Sequence, residues 1–375
     1  MLVYRQDGYK LMDIDLFGKG PKLAKRNIIV MGGSAGSFAA FKTITAGLPA
    51  DLDASIFIVW HMAPNLLGVM PEVLNRYGKL RATEARDGEQ IEPGRIYFAR
   101  PDYHLMIEGN MVRVTRGPKE NRFRPAVDPL FRSAAFSHRQ RVIGVVLSGA
   151  LDDGTSGLWT IKYYGGTAIV QDPSDAEVPS MPENAIREVN VDYVVPVDKM
   201  AELLVRLASE TVEISEVVME NEKQVETEVG IAKEDNAFKA GIMNLGSLTP
   251  FTCPECHGVL TELTEGTRQR YRCHTGHAFS ADSLLATVTE NIEDSMWNTI
   301  RGIEESIMLL DQMGQHLSEE RRTDLALLYF RKAREAQERA DIIRQSLMKH
   351  EELSVEQLRD EAYEHAGHSA ADSTT

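Results

Sequence analysis

A serine hydroxyl, an imidazole and a carboxylate stand where three apolar runs of this chain stop. Residues 27–31 run into Gly32-Gly33-Ser34-Ala35-Gly36, after which residues 38–48 turn amphipathic. Glycines around Ser34 allow a sharp strand-to-helix turn that lifts the hydroxyl clear of a sheet, and the following helix aims its free N–H groups at the same corner. Such a turn can also cradle a phosphate, so a nucleotide-binding α/β protein is a second reading of it. Residues 55–60 form another apolar run that ends on His61, and residues 141–147 a third that ends on Ser148-Gly149-Ala150-Leu151-Asp152-Asp153-Gly154. In an open parallel sheet the carboxyl ends of the strands line one crevice. There a serine becomes a nucleophile when an imidazole takes its proton and a carboxylate fixes the tautomer of the ring. Ser34, His61 and either Asp152 or Asp153 supply those parts. Each has a plainer use by itself, His61 as a strand-end residue bonded to backbone and the Asp pair as a cap for a helix near Gly154. Their convergence favours catalysis.

These residues need a scaffold that gathers strand ends. Strand-like runs near residues 27–31, 55–60, 142–147, 167–171 and 192–195 alternate with helical patterns, which predicts an α/β fold with a doubly wound, mostly parallel sheet. Between Arg95 and Arg116, the runs 96–98 and 105–114 look antiparallel, with a hairpin turn at Gly109-Asn110. A closing helix is expected over 198–208. Composition then shifts: residues 211–235 carry eight acidic residues against two lysines, and 211–248 reads as an acidic linker with some helix in it.

All three cysteines fall in Cys253-Pro254-Glu255-Cys256 and Cys273-His274-Thr275-Gly276-His277. Two ligand pairs at that separation match a zinc ribbon over 249–281, in which thiolates and an imidazole complete a tetrahedron around a structural Zn2+. Three cysteines cannot pair off as disulfides. The favoured ligands are Cys253, Cys256, Cys273 and His277, with His274 and His257 as alternatives beside the cluster.

Two apolar stripes follow. Leu285, Val288, Ile292, Met296, Ile300, Ile303, Ile307 and Leu310 mark a helix that Gly314 is expected to end, and Leu325 through Leu347 mark a second. They predict a helical hairpin over 282–352, with a disordered polar tail over 353–375 in which His365 and His368 bind no metal. No run reaches the roughly twenty apolar residues of a membrane span. A net charge of −15 argues against wholesale nucleic-acid binding, which needs a basic surface.

Residues 27 to about 207 resemble the catalytic domain of the CheB-type chemotaxis methylesterases, protein-glutamate methylesterases that often also act as glutaminases on chemoreceptors. The resemblance rests on Gly32-Gly33-Ser34-Ala35-Gly36, His61-Met62-Ala63-Pro64, the 87–93 segment, Pro101-Asp102-Tyr103-His104, the 121–125 segment with Val127-Asp128, the 147–154 segment and the 181–186 segment. It implies a catalytic domain over 27–210 in which Ser34 is the nucleophile, His61 the base and Asp153 the orienting carboxylate, with no catalytic part for Asp152. The main-chain N–H groups of Ala35 and Ala150 would form the oxyanion hole. The family usually has threonine where Ala35 stands and commonly methionine where Ala150 stands, yet a backbone donor survives both changes.

The implied reaction is hydrolysis of glutamyl methyl esters on chemoreceptors, with deamidation of receptor glutamine as a second activity and no cofactor needed for catalysis. Arg122 and Arg124 are expected to contact an acidic receptor surface. The expected partners are methyl-accepting chemoreceptors, together with a chemotaxis methyltransferase or a separate regulator, and the expected location is the cytoplasm. Some CheB-like proteins carry a C-terminal Cys-x-x-Gly-His element, which supports His277 over His274. The N-terminal extension, residues 1–26, is expected to leave no room for the receiver domain of phosphorylation-regulated members. Control is therefore expected through the zinc and helical region or through another protein. The competing expectation is a catalytically reduced scaffold acting through that C-terminal region.

Overall fold

The computed structural model of the chain describes residues 22–61, 70–214, 222–234, 237–351, 353–354 and 357–358. Its first part contains β1 (Lys22–Lys25), β2 (Ile28–Gly33), α1 (Ser37–Gly47), β3 (Ser55–Trp60), α2 (Met70–Tyr77), β4 (Arg81–Glu84) and β5 (Arg95–Phe98). Next come β6 (His104–Glu108), β7 (Met111–Thr115), α3 (Val127–His138), β8 (Val142–Val146), α4 (Thr155–Tyr163), β9 (Thr167–Gln171), α5 (Ser180–Glu188), β10 (Tyr193–Val195) and α6 (Val197–Ser209). Then follow β11 (Thr211–Ile214), α7 (Glu222–Glu234), α8 (Ala237–Ala240), β12 (Ser247–Thr252), β13 (Val259–Glu265), β14 (Arg268–Cys273), β15 (Ala278–Ser280), α9 (Ala281–Glu319) and α10 (Thr323–Leu347).

The main sheet has the order β10-β9-β8-β2-β3-β5-β4, and all of its pairings are parallel. Side chains alternate across it with the period of two that a strand imposes. From β2, Ile28 and Val30 enter the core shared with α3, α4 and α5, while Ile29 and Met31 enter the opposite core with α1, α2 and α6. A strand covered on both faces must be apolar throughout, which is why the runs ending on Ser34, His61 and Ser148 carry no polar alternation.

The five expected strands appear as β2, β3, β8, β9 and β10, and the hairpin at Gly109-Asn110 joins β6 to β7. Residues 96–98 differ from expectation. They lie in β5, parallel to both β3 and β4, so only the β6–β7 hairpin is antiparallel in that region. The stretch expected as an acidic linker is built into the fold instead. There β11 pairs antiparallel with β1, and α7 buries Val225, Glu228, Val229, Ile231 and Ala232.

The C-terminal part is a four-stranded antiparallel sheet, β12-β13-β14-β15, followed by the α9–α10 hairpin. Gly314 does not end α9, which runs on to Glu319. A Cβ at Gly314 would lie 2.7 Å from the Phe330 ring, so this glycine permits close helix packing rather than a stop. Residues 1–21, 62–69 and most of the expected tail, including Met62, Ala63, Pro64, His365 and His368, lie outside the described residues.

Candidate active site and metal centre

Ser34 follows β2 directly. Gly36, at a φ of 76°, takes the left-handed conformation that glycine tolerates best and turns the chain into α1. Three contacts fix this turn: the Ser34 N–H donates to the Ser148 carbonyl at 2.9 Å, the Ser148 hydroxyl donates to the Ala35 carbonyl at 2.7 Å, and the Trp60 indole donates to the Ser34 carbonyl at 2.9 Å. The approach of the 148–151 loop demands a small residue, because a Cβ at Gly149 would lie 2.1 Å from the Met181 sulfur and 2.8 Å from Ser34 Cβ. The N–H groups of Ala35 and Ala150, both exposed, have no hydrogen-bond partner among the described residues.

His61 follows β3, whose last residue, Trp60, is in register with Gly33 of β2. The His61 N–H donates to the Gly33 carbonyl at 3.1 Å, so strand pairing itself sets His61 beside the Ser34 turn. His61 Nε2 meets Asp153 Oδ2 at 2.7 Å. Nδ1 is buried and has no partner among the described residues. Phe123 stacks on the ring, with centroids 3.8 Å apart and planes 10° from parallel. A carboxylate on Nε2 favours the tautomer with the proton there and leaves the Nδ1 lone pair free to accept one.

Asp153, just before α4, is buried against the first N–H groups of α3. Besides His61 it accepts hydrogen bonds from the Val127 N–H at 2.6 Å and the Asn121 amide at 2.9 Å. Burial alone would push its carboxyl up, but the His61 contact, the Val127 N–H and the Asn121 amide outweigh it and hold the group below the usual carboxylate range. Its neighbour Asp128 takes the opposite course, pushed up to about 7 by burial and by the Asp153 charge. Asp152, one residue before Asp153, points elsewhere: it pairs with Arg268 at 3.2 Å and accepts from the Ser280 hydroxyl at 2.6 Å.

The two arginines expected to face a receptor are engaged inside the chain. Arg124 bonds Asp102 through Nε and Nη2 at 3.0 and 2.7 Å and the Gly117 carbonyl through Nη1 at 2.8 Å, which occupies its whole fork. Arg122 pairs with Glu290 on α9. Sequence reasoning missed Asn121 and Phe123 as parts of the His61–Asp153 surroundings. Both lie in the motif that carried the resemblance, but only the folded loop shows what they touch.

Cys253, Cys256, Cys273 and His277 offer ligand atoms that all lie within 4.8 Å of one another. The first two flank the β12–β13 turn and the others the β14–β15 turn. Sulfur atoms 3.6 Å apart in Cys256 and Cys273, and Nδ1 of His277 at 3.7 and 3.6 Å from Cys253 and Cys273 Sγ, are close to the edge of about 3.8 Å that metal–sulfur bonds of about 2.3 Å give a tetrahedron. Three thiols and an imidazole at those separations can hold a metal ion. His274 is outside the cluster; its ring packs over Gly258, where a Cβ would lie 2.3 Å away.

The CheB methylesterase family model matches residues 29–204. A Leptospira interrogans protein provisionally named protein-glutamate methylesterase/protein-glutamine glutaminase is 40% identical over 186 residues, covering 49% of this chain and 96% of that protein. The chain belongs to the CheB methylesterase family. Proteins named protein-glutamate methylesterase/protein-glutamine glutaminase from Methanosarcina acetivorans and Thermotoga maritima are 37% and 36% identical. The matched region spans 54% of the length of each. The solved catalytic domain of Thermotoga maritima CheB methylesterase is 36% identical, with a TM-score of 0.47, over 48% of this chain and 98% of that one. Residues beyond 204, including the metal-ligand cluster, lie outside the matched family region.

Proposed function

We propose that the chain is a CheB-type serine esterase that removes methyl groups from glutamyl methyl esters of chemoreceptors, in the cytoplasm. The observation that carries this reading is the His61–Asp153 hydrogen bond, which leaves Nδ1 without a partner among the described residues, on a residue whose main-chain N–H bonds Gly33, next to Ser34. His61 Nδ1 takes the Ser34 proton as Oγ attacks the ester carbonyl, and Asp153 stabilises the resulting imidazolium. The Ala35 and Ala150 N–H groups hold the oxyanion. When the tetrahedral intermediate collapses, His61 protonates the departing methanol, and water then releases glutamate from the acyl-serine. A receptor glutamine follows the same route with ammonia leaving.

The site roles extend to a division of labour along the chain, with a catalytic domain over 27–210 and a zinc ribbon with its helical hairpin behind it. Zinc suits three thiolates and an imidazole, and with all four positions filled by protein it would be structural, helping fold a small sheet. Among the described residues no helix is long and apolar enough to cross a membrane, so access to the receptor is from solution. The test is methanol release from methyl-labelled receptor membranes. The reading expects release by the wild-type chain and its loss in both Ser34→Ala and His61→Ala.

A further inference from the structure

Asn121 uses its whole hydrogen-bonding capacity at the junction of two parts of the molecule. Its Nδ2 donates to Asp153 Oδ1 and to Asp128 Oδ2, each at 2.9 Å. Its Oδ1 accepts the Ser280 N–H at 3.0 Å and the Ser283 hydroxyl at 3.1 Å. The Ser280 N–H can only donate, so it fixes which end of the amide faces the carboxylates. The Asn121 main chain is held as well, its N–H donating to the Ala278 carbonyl at 2.8 Å and its φ lying at 48°.

Ser280 and Ser283 belong to the C-terminal part. Ser280 caps α9, accepting the Ser283 N–H at 3.0 Å, and closes β15, the strand that directly follows the ligand His277. A buried ionic cluster keeps this part in place. Glu120 of the Asn121 loop and Arg132 of α3 meet Glu228 of α7, Glu265 of β13, and Arg270 and Arg272 of β14. Buried charges tolerate little displacement of their partners, so the sheet cannot shift against the Asn121 loop without leaving charge unpaired.

We propose that Asn121 is a positioning residue for the Asp153–His61 pair, and that the C-terminal module, through Ser280 and Ser283, imposes its orientation. This rests on the esterase reading above and adds to it that catalytic geometry is completed by residues outside the region matched by the CheB family model. Two acidic groups crowd this spot, and one amide donating to both keeps Asp153 ionised toward His61. The charged and titratable groups around Asp153 and Asp128 are His61, His104, Asp152, Glu120, Arg132 and Arg270. The variants below alter none of them.

The experiment uses the full chain. Asn121→Gly removes the amide while suiting the positive φ, and Ser283→Ala removes one donor to the amide oxygen without touching the loop. Lys119→Ala, which cuts the exposed pair with Glu255 at the same junction, is the control. For methanol release from methyl-labelled receptor membranes, Asn121→Gly is expected to lower kcat about 10-fold or more with KM little changed, the scale of a hydrogen bond to a charged group. The acid limb of its kcat profile should move to higher pH, because losing a donor to the carboxylate raises its pKa. Ser283→Ala should show the same changes at a few-fold, and Lys119→Ala neither.

Nitrogen NMR of the His61 ring provides a readout that needs no substrate, with a weakened preference for the Nε2–H tautomer expected in both Asn121→Gly and Ser283→Ala. Altered His61 resonances with no Ser34-dependent release in the wild-type chain would uphold the positioning and overturn the esterase reading. Wild-type ring resonances in Ser283→Ala, and in Asn121→Gly if it folds, would overturn the positioning whatever the activity.

Discussion

Phe123 lies flat on the imidazole of His61, ring centroids 3.8 Å apart and planes 10° from parallel. With Asp153 holding Nε2, this stack fixes the remaining freedom of the ring, its rotation about the Cβ–Cγ bond. In the proposed mechanism an aromatic face would also stabilise the imidazolium formed as Ser34 gives up its proton. Phe123→Ala should therefore lower kcat roughly 10-fold with KM little affected, and Phe123→Tyr should restore most of it. Steady-state methanol release checks both.

Asp128 makes stability respond to pH in a chosen direction. Burial and the Asp153 charge push it up to about 7, so the folded chain binds a proton that the unfolded chain has released above its ordinary value near 3.8. The favourable contribution is full below the unfolded value and disappears as pH rises through about 7. His138, pushed down to about 4 by burial, acts oppositely over part of that range but is common to both proteins compared. Relative to Asp128→Asn, the wild-type chain should lose Tm between pH 5 and 8, as calorimetry across that range would show.

Metal removal should act on the fold of the C-terminal sheet. Cys273→Ser or a strong chelator should lower Tm by several degrees, as expected when about 1 kcal/mol or more is lost. Elemental analysis of the purified chain should find one zinc per molecule, and a chain lacking bound metal yet equally stable would count against the assignment.

The buried ionic cluster makes a contrast with surface pairs. Arg272 donates to Glu120 at 2.7 Å and to Glu228 at 3.0 Å, both buried carboxylates. Burial pushes Glu120 up, yet the charges of Arg132, Arg272 and Arg270 hold it well below its ordinary range. Arg272→Met should cost about 3–5 kcal/mol by leaving buried charge unpaired, whereas Lys25→Ala, which breaks an exposed pair with Asp53, should cost under about 1 kcal/mol. Denaturant unfolding measures each.

Much of the site was legible because it follows from local pattern. Three fully apolar runs stopping at Ser34, His61 and Ser148 can only be strands buried on both faces, and their shared direction brings those ends together. The cysteine pairs announce their cluster in the same way. What escaped depends on contacts distant in sequence. Residues 81–84 are too short and polar to read as a strand, and only pairing with β5 makes them one. The acidic stretch around Glu228 looks like a linker until Arg270 and Arg272 supply its counter-charges from over forty residues away. Gly314 reads as a helix stop because the Phe330 ring that requires it belongs to another helix. Asn121 carries no signal of its own, since its role is defined by Asp153 on one side and Ser280 on the other.

The most direct test of the central claim is to trap the intermediate. The chain would be mixed with methyl-esterified receptor, quenched in acid within milliseconds, and digested for mass spectrometry. A glutamyl residue of the receptor joined by an ester to Ser34, absent from Ser34→Ala along with methanol release, is the predicted result. Undiminished methanol release by Ser34→Ala, with no adduct on Ser34 of the wild-type chain, would contradict the account.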